Sequence, residues 1–111
     1  MSEFVFLYRG GNPPTGSPEA MQQVMQKWMK WMGELEAKGA LKNRGLPLER
    51  SGKVVKADKS VVDGPFAEAK DLIGGFSLIE AKDLAHAAQL AAGCPIFDVG
   101  GDVEVRPAMK M

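Results

Sequence analysis

Phe4-Val5-Phe6-Leu7-Tyr8, followed by Gly10-Gly11-Asn12-Pro13-Pro14, decides how this chain is read. Consecutive aromatic, β-branched and aliphatic residues make a short strand, and the glycine-proline cluster ends it in a loop. Successive strand residues project to opposite faces of a sheet, so an apolar run without alternation sends apolar groups to both sides. Phe76-Ser77-Leu78-Ile79-Glu80, entered through Gly74-Gly75, behaves in the same way. A sheet centred on these two strands needs cover on each face.

The residues between them supply cover for one. Ser17 offers an N-cap oxygen, Pro18 suits the first helical position and Gly39 can take the left-handed conformation that closes a helix. Within that span Met21, Val24, Met25, Trp28, Met32 and Leu35 form one stripe, flanked by Met29 and Trp31, opposite Glu19, Gln23, Gln26, Lys30 and Ala37. We read the stripe as core lying on a sheet, with thioethers filling uneven gaps, rather than as a ligand box.

Residues 40–72 are less regular, and Lys53-Val54-Val55-Lys56 and Ser60-Val61-Val62 read as one or two short or edge strands. A second helix is expected from about Lys82 to Ala92, stopped by Gly93 and Pro95, with Leu84, Ala88 and Ala91 as its inner stripe. Asp102-Val103-Glu104-Val105-Arg106 alternates strictly and ends at Pro107, the mark of a last strand with one wetter face. The order predicts a single α+β domain over residues 1–111, a ferredoxin-like βαββαβ antiparallel sheet with two helices on one face. The other face is left bare, which predicts a homodimer; the alternative is that the irregular middle segment folds across it.

Composition narrows the function. A chain of 111 residues is long enough for one core. Lys plus Arg equals Asp plus Glu at 14 each, so no net field draws the protein to nucleic acid or anionic lipid. No apolar run approaches the ~20 residues of a membrane helix, and Met1 to Arg9 lacks the pattern of an export signal, so a cytoplasmic location is expected. One cysteine and one histidine cannot furnish a zinc site, and no calcium-loop run or phosphate-cradling glycine loop is present, so no metal or cofactor is expected.

Asp63-Gly64-Pro65-Phe66 stands out as a motif, continuing through Glu68 and Lys70 to Gly74-Gly75-Phe76. With the aromatic first strand ending near Tyr8, the Ala-rich helix ending in Cys94-Pro95, and Gly101-Asp102-Val103-Glu104-Val105-Arg106-Pro107, it resembles the DGPF branch of the YCII-related family. The resemblance implies a ferredoxin-like fold assembled as a dimeric α+β barrel, and a family with members encoded beside extracytoplasmic-function sigma factors and distant relatives acting on small chlorinated aromatic compounds. Relatives outside the branch carry a histidine and an aspartate proposed as a catalytic pair. This chain's only histidine, His86, does not match that position and is expected to be exposed and idle on the second helix.

The turn can also be read physically. Asp63 cannot close an ordinary Asx-turn, because the amide two residues on belongs to Pro65 and has no hydrogen. Either Asp63 caps a short helical turn through the amide of Phe66, or it faces a cleft at the open end of the sheet. In the second case Glu68 stands beside it as a second acid and Lys70 keeps one of them ionised, giving a base and an acid. Phe66 is expected to plug the core or the dimer seam, or else to stack on a substrate. Tyr8 and Arg9 can line the same cleft or simply end the strand. Arg106 sits on the polar side of the last strand, solvated or binding an anion. Cys94 reads as a buried, inert thiol. Three functions follow: a cofactor-independent small-molecule enzyme using Asp63 and Glu68; a non-catalytic metabolite-binding or regulatory module, with a sigma factor as one partner; or a dimeric scaffold without a pocket, its open ends filled by Phe66 and Tyr8.

Overall fold

The first strand outruns its apolar centre. In the computed structural model, which describes residues 1–12, 17–64 and 68–111, β1 spans Ser2–Gly10 and pairs antiparallel with β5 (Ile73–Ala81) on one side and β6 (Gly101–Pro107) on the other. β2 (Leu41–Asn43) closes the far edge beside β5, giving the order β2-β5-β1-β6. With α1 (Pro18–Ala37) and α2 (Leu84–Ala91) in their places along the chain, this is the ferredoxin-like arrangement expected from the sequence.

Side-chain parity sorts the sheet into two faces. Phe4, Phe6 and Tyr8 of β1 and Ser77, Ile79 and Ala81 of β5 are buried against the helices. Val5 and Leu7 point the other way, opposite Leu78 and Phe76 respectively, and remain half-buried. The apolar character on both sides of the central strands is therefore real, and both helices contribute buried residues to the same face.

α1 begins at its expected cap, where Ser17 Oγ accepts from the Ala20 amide at 3.1 Å. It ends where Gly39 takes a φ of 72°, a conformation costly for any residue with a Cβ. Its apolar stripe, however, divides. Trp31, Met32 and Leu35 are buried, whereas Met21 and Met25 are exposed. Trp31, expected as a flank, lies stacked on Phe6 with ring centroids 6.2 Å apart. The C-terminal half of the helix rests on the sheet, and the N-terminal half runs over the space beside the strand ends.

α2 departs from its expected phase. Asp83 is the N-cap, its carboxylate accepting from the His86 amide at 2.8 Å, and His86 Nδ1 accepts the Lys82 amide in return at 3.0 Å. This reciprocal cap starts the helix at Leu84 and turns Leu84 and Ala88 to solvent. Ala87, Leu90 and Ala91 carry the buried face instead. His86 is thus half-buried and engaged, not idle.

Of the middle segment, β2 takes the edge of the main sheet, and the two valine-rich pieces join neither of its edges. β3 (Gly52–Val55) and β4 (Val61–Gly64) make a separate two-stranded hairpin, with Val55 opposite Val61 and Lys53 opposite Asp63. Its turn is held by Asp58, which accepts from both the amide and the hydroxyl of Ser60; the hydroxyl bond leads in holding this carboxyl below its usual range. The radius of gyration is 15.3 Å, against roughly 13 Å for a compact domain of about this size, and the molecule is a slab 18 Å thick. The main body is two layers deep, and the hairpin stands away from it.

Deleting the buried side chain of α2 tests the phase of that helix. Leu90→Ala should cost about 2–3 kcal/mol in urea unfolding, while Leu84→Ala should change stability by no more than about 0.5 kcal/mol. Equal effects would return Leu84 to the core.

Candidate functional site

The divided helix leaves a cavity of about 440 Å³. Val24, Met25, Trp28, Met29 and Met32 of α1 form one wall, and Leu46, Pro47 and Leu48 with Leu72–Gly74 form the opposite one. Tyr8, Gly10 and Gly11 at the end of β1 and Gly75 of β5 make the floor, and Ile96 and Val99 close one end. Its size suits a small molecule, and the lining is mostly apolar, with Arg44, Glu49 and Arg50 as its charged members.

Backbone packing builds this wall. Residues 46–48 continue the edge of the sheet past β2: Leu48 N–H donates to Gly74 O at 2.8 Å, and Pro47 bridges to Gly75. The chain reaches that line through Gly45, at φ 68°, where an added Cβ would collide with the carbonyl oxygen of Phe76. Only glycine permits so close an approach. On the other flank Gly10 N–H donates to Leu72 O at 2.9 Å, tying residues 70–72 to the end of β1.

Aromatic rings set the floor. The Tyr8 ring meets Trp28 edge to face at 4.9 Å, and Trp28 meets Trp31 in the same manner at 5.8 Å. Tyr8 Oη donates to Ser77 Oγ at 2.8 Å, and Ser77 Oγ donates to the carbonyl of Arg44 at 2.7 Å. Burial pushes the Tyr8 phenol well above the ordinary tyrosine range, an effect that the Ser77 hydrogen bond only partly offsets. The phenol therefore stays protonated at neutral pH and acts as a fixed polar point in an apolar site.

The residues singled out from the sequence do not converge. Tyr8 lines the cavity. Asp63 lies on β4, with its side chain 92% exposed and ion-paired to Lys53 on β3 at 2.8 Å. Glu68 and Lys70 face one another at 3.9 Å, both largely exposed, and none of these three charged residues lines the cavity. Phe66 lies outside the described residues. Arg106 donates to Glu104 at 3.2 Å on the open face of the sheet, where Arg9 also reaches Glu104 at 3.1 Å and Asp102 at 2.9 Å. The Asp102 hydrogen bond leads in raising the pKa of Arg9.

Sequence reasoning missed Trp28, Met25 and Met29 as cavity wall, because a helical stripe over a cavity has the same spacing as one over a core. The available signal was Met25 and Met29, two flexible side chains four residues apart on one helix. Cys94 is buried, and its thiol is pushed up to about 12, chiefly by loss of solvent. Among the described residues no group of three or more His, Cys, Asp and Glu is placed to hold a metal, and no helix is long and apolar enough to cross a membrane.

These buried acids fix the alkaline behaviour. A group whose folded pKa lies above its unfolded value keeps a proton that the unfolded chain gives up, so stability falls as pH rises between the two. For Cys94 that window runs from 9.0 to about 12. Stability should decline through this range, and Cys94→Ala should make the decline shallower; a steeper or unchanged slope in the variant would contradict the burial argument.

The YCII-related domain family model matches residues 4–111. Among solved structures the chain is similar to 5-chloro-2-hydroxyhydroquinone dehydrochlorinase from Burkholderia phenoliruptrix AC1100 in complex with 2,5-dihydroxybenzoquinone. The identity is 18% and the TM-score 0.48, over 98% of this chain and 95% of that one. No curated protein matches the chain.

Proposed function

The chain belongs to the YCII-related family, and from that premise we propose that it is a homodimeric binding module for a small, apolar, ring-bearing molecule held beneath α1. The cavity carries this reading. It offers Trp28 and Tyr8 as ring surfaces and Met25 and Met29 as adaptable walls, and both methionines are 61% exposed. Exposed thioethers around a concave apolar site gain contact area when a ligand enters.

Binding is favoured over acid-base catalysis by a mostly apolar lining in which Glu49 is the only carboxylate among the described residues, with the cations Arg44 and Arg50 as its charged companions. The buried phenol holds its proton, and Asp63 and Glu68 stand outside the lining. A catalytic role for these carboxylates needs a second surface to bring substrate to them, which the binding reading does not require.

Pairing of two copies is supported by the open face of the sheet. Val5, Leu7, Phe76 and Leu78 form an apolar centre, with the Arg9–Asp102–Glu104–Arg106 network on one flank and the Lys42–Glu3 pair, at 2.9 Å, on the other. The Glu3 hydrogen bond leads in raising the pKa of Lys42. An apolar centre with a charged rim is the anatomy of an interface, and the same patch on a second copy is complementary to it by symmetry.

Two measurements test these readings. Light scattering should give twice the protomer mass, and Leu78→Glu, which places a charge at the centre of the apolar patch, should give a folded monomer; a wild-type monomer at micromolar concentration would overturn pairing. Titration with naphthalene-sized aromatics should quench tryptophan emission, with affinity at least about tenfold weaker in Trp28→Ala and within about twofold of wild type in Asp63→Asn and Glu68→Gln. Loss of binding in the carboxylate variants with retention in Trp28→Ala would move the site to the β4 side.

A further inference from the structure

The hydrogen-bond relay under the cavity has a direction, and that direction restricts the ligand. Three oxygens lie in sequence, Tyr8 Oη, Ser77 Oγ and the Arg44 carbonyl, with separations of 2.8 and 2.7 Å. A carbonyl oxygen only accepts, so the Ser77 hydroxyl, with its single hydrogen, must donate to Arg44. Ser77 then has no hydrogen for Tyr8, and the phenol must donate to Ser77.

The order cannot reverse without stranding a buried group. Ser77 is fully buried, and among the described residues no buried side-chain polar atom lacks a partner. Turning the Tyr8 hydrogen toward the cavity would cost the Tyr8–Ser77 bond, and turning the serine hydrogen toward Tyr8 would cost the bond to the Arg44 carbonyl. Tyr8 and Arg44 line the cavity and Ser77 does not, so the relay runs along its floor and a ligand reaches it at the Tyr8 and Arg44 ends. With its hydrogen spent, that oxygen offers the cavity only a lone pair.

We propose that the cavity selects flat apolar molecules carrying a hydrogen-bond donor, such as a ring hydroxyl or ring N–H, and discriminates against isosteres that present only an acceptor. An acceptor placed against Tyr8 would face another lone pair. Ser77 is the positioning residue: it touches no ligand and sets the polarity of the oxygen that does. This inference rests on the cavity being the binding site.

Indole and benzofuran test it, since they match in shape and differ in N–H against O. By calorimetry or ligand-observed NMR, the wild-type protein should bind indole at least about fivefold more tightly than benzofuran, the worth of one modest buried hydrogen bond. Tyr8→Phe, which removes the oxygen, should bring the two affinities within about twofold. Ser77→Ala should do the same or reverse the order, because the phenol hydrogen is then free to turn into the cavity, while near-ultraviolet circular dichroism and urea unfolding report whether the variant keeps its fold. Equal affinities in the wild type, or an indole preference that persists in both folded variants, would overturn the polarity argument while leaving the cavity reading intact. Failure of wild-type protein to bind either compound would overturn both.

Discussion

The contact between α1 and β1 through four rings governs the molecule. Phe6 and Trp31 stack, Trp28 stands edge-on to Tyr8 and Trp31, and together they set where the helix touches the sheet. Each such pair adds about 0.5–1.5 kcal/mol beyond the area it buries. Because the rings sit toward the C-terminal half of the helix, that half is pinned and the other half is held off the strand ends. The cavity follows from this geometry: it is the room left when a rigid helix is supported at one end.

The two faces of the sheet then serve different ends. The helix side holds the core and the cavity, with a polar thread of Tyr8, Ser77 and the Arg44 carbonyl satisfied internally. The opposite side keeps Val5, Leu7, Phe76 and Leu78 half-buried beside ion-paired charges. Exposed ion pairs contribute little to folding, so the network on that face adds little to the stability of the protomer. The β3–β4 hairpin adds a further exposed apolar pair, Val55 and Val61, at a distance from the core.

Most of the architecture was legible in the chain. The unbroken apolar runs of β1 and β5, the Ser17–Pro18 start and Gly39 stop of α1, and the alternation of β6 are local signals, and the structure follows them. What the sequence concealed depended on tertiary position. The phase of α2 turned on whether Asp83 or a neighbour capped it, and the reciprocal bond from Lys82 to His86 involves a residue type outside the usual capping pattern. Val54 and Val62 carry the same strand signal whether they join a main sheet or pair only with one another. The cavity was hidden for a related reason, since the methionine spacing of α1 does not reveal that Met25 and Met29 stand over open space. Asp63 drew attention through an unusual local sequence, and the structure pairs it with Lys53 across the hairpin, outside the cavity lining.

The methionines provide the most direct measurement of the claim that the space beneath α1 is the ligand site. With ¹³C-labelled methionine methyl groups, titration of a flat aromatic ligand should shift the signals of Met25, Met29 and Met32, which line the cavity, and leave those of Met109 and Met111, exposed at the C-terminal end, in place. Saturable shifts confined to the first three would establish the site. Shifts at the terminal methionines alone, or none at Met25, Met29 and Met32 under conditions where the ligand binds, would contradict it.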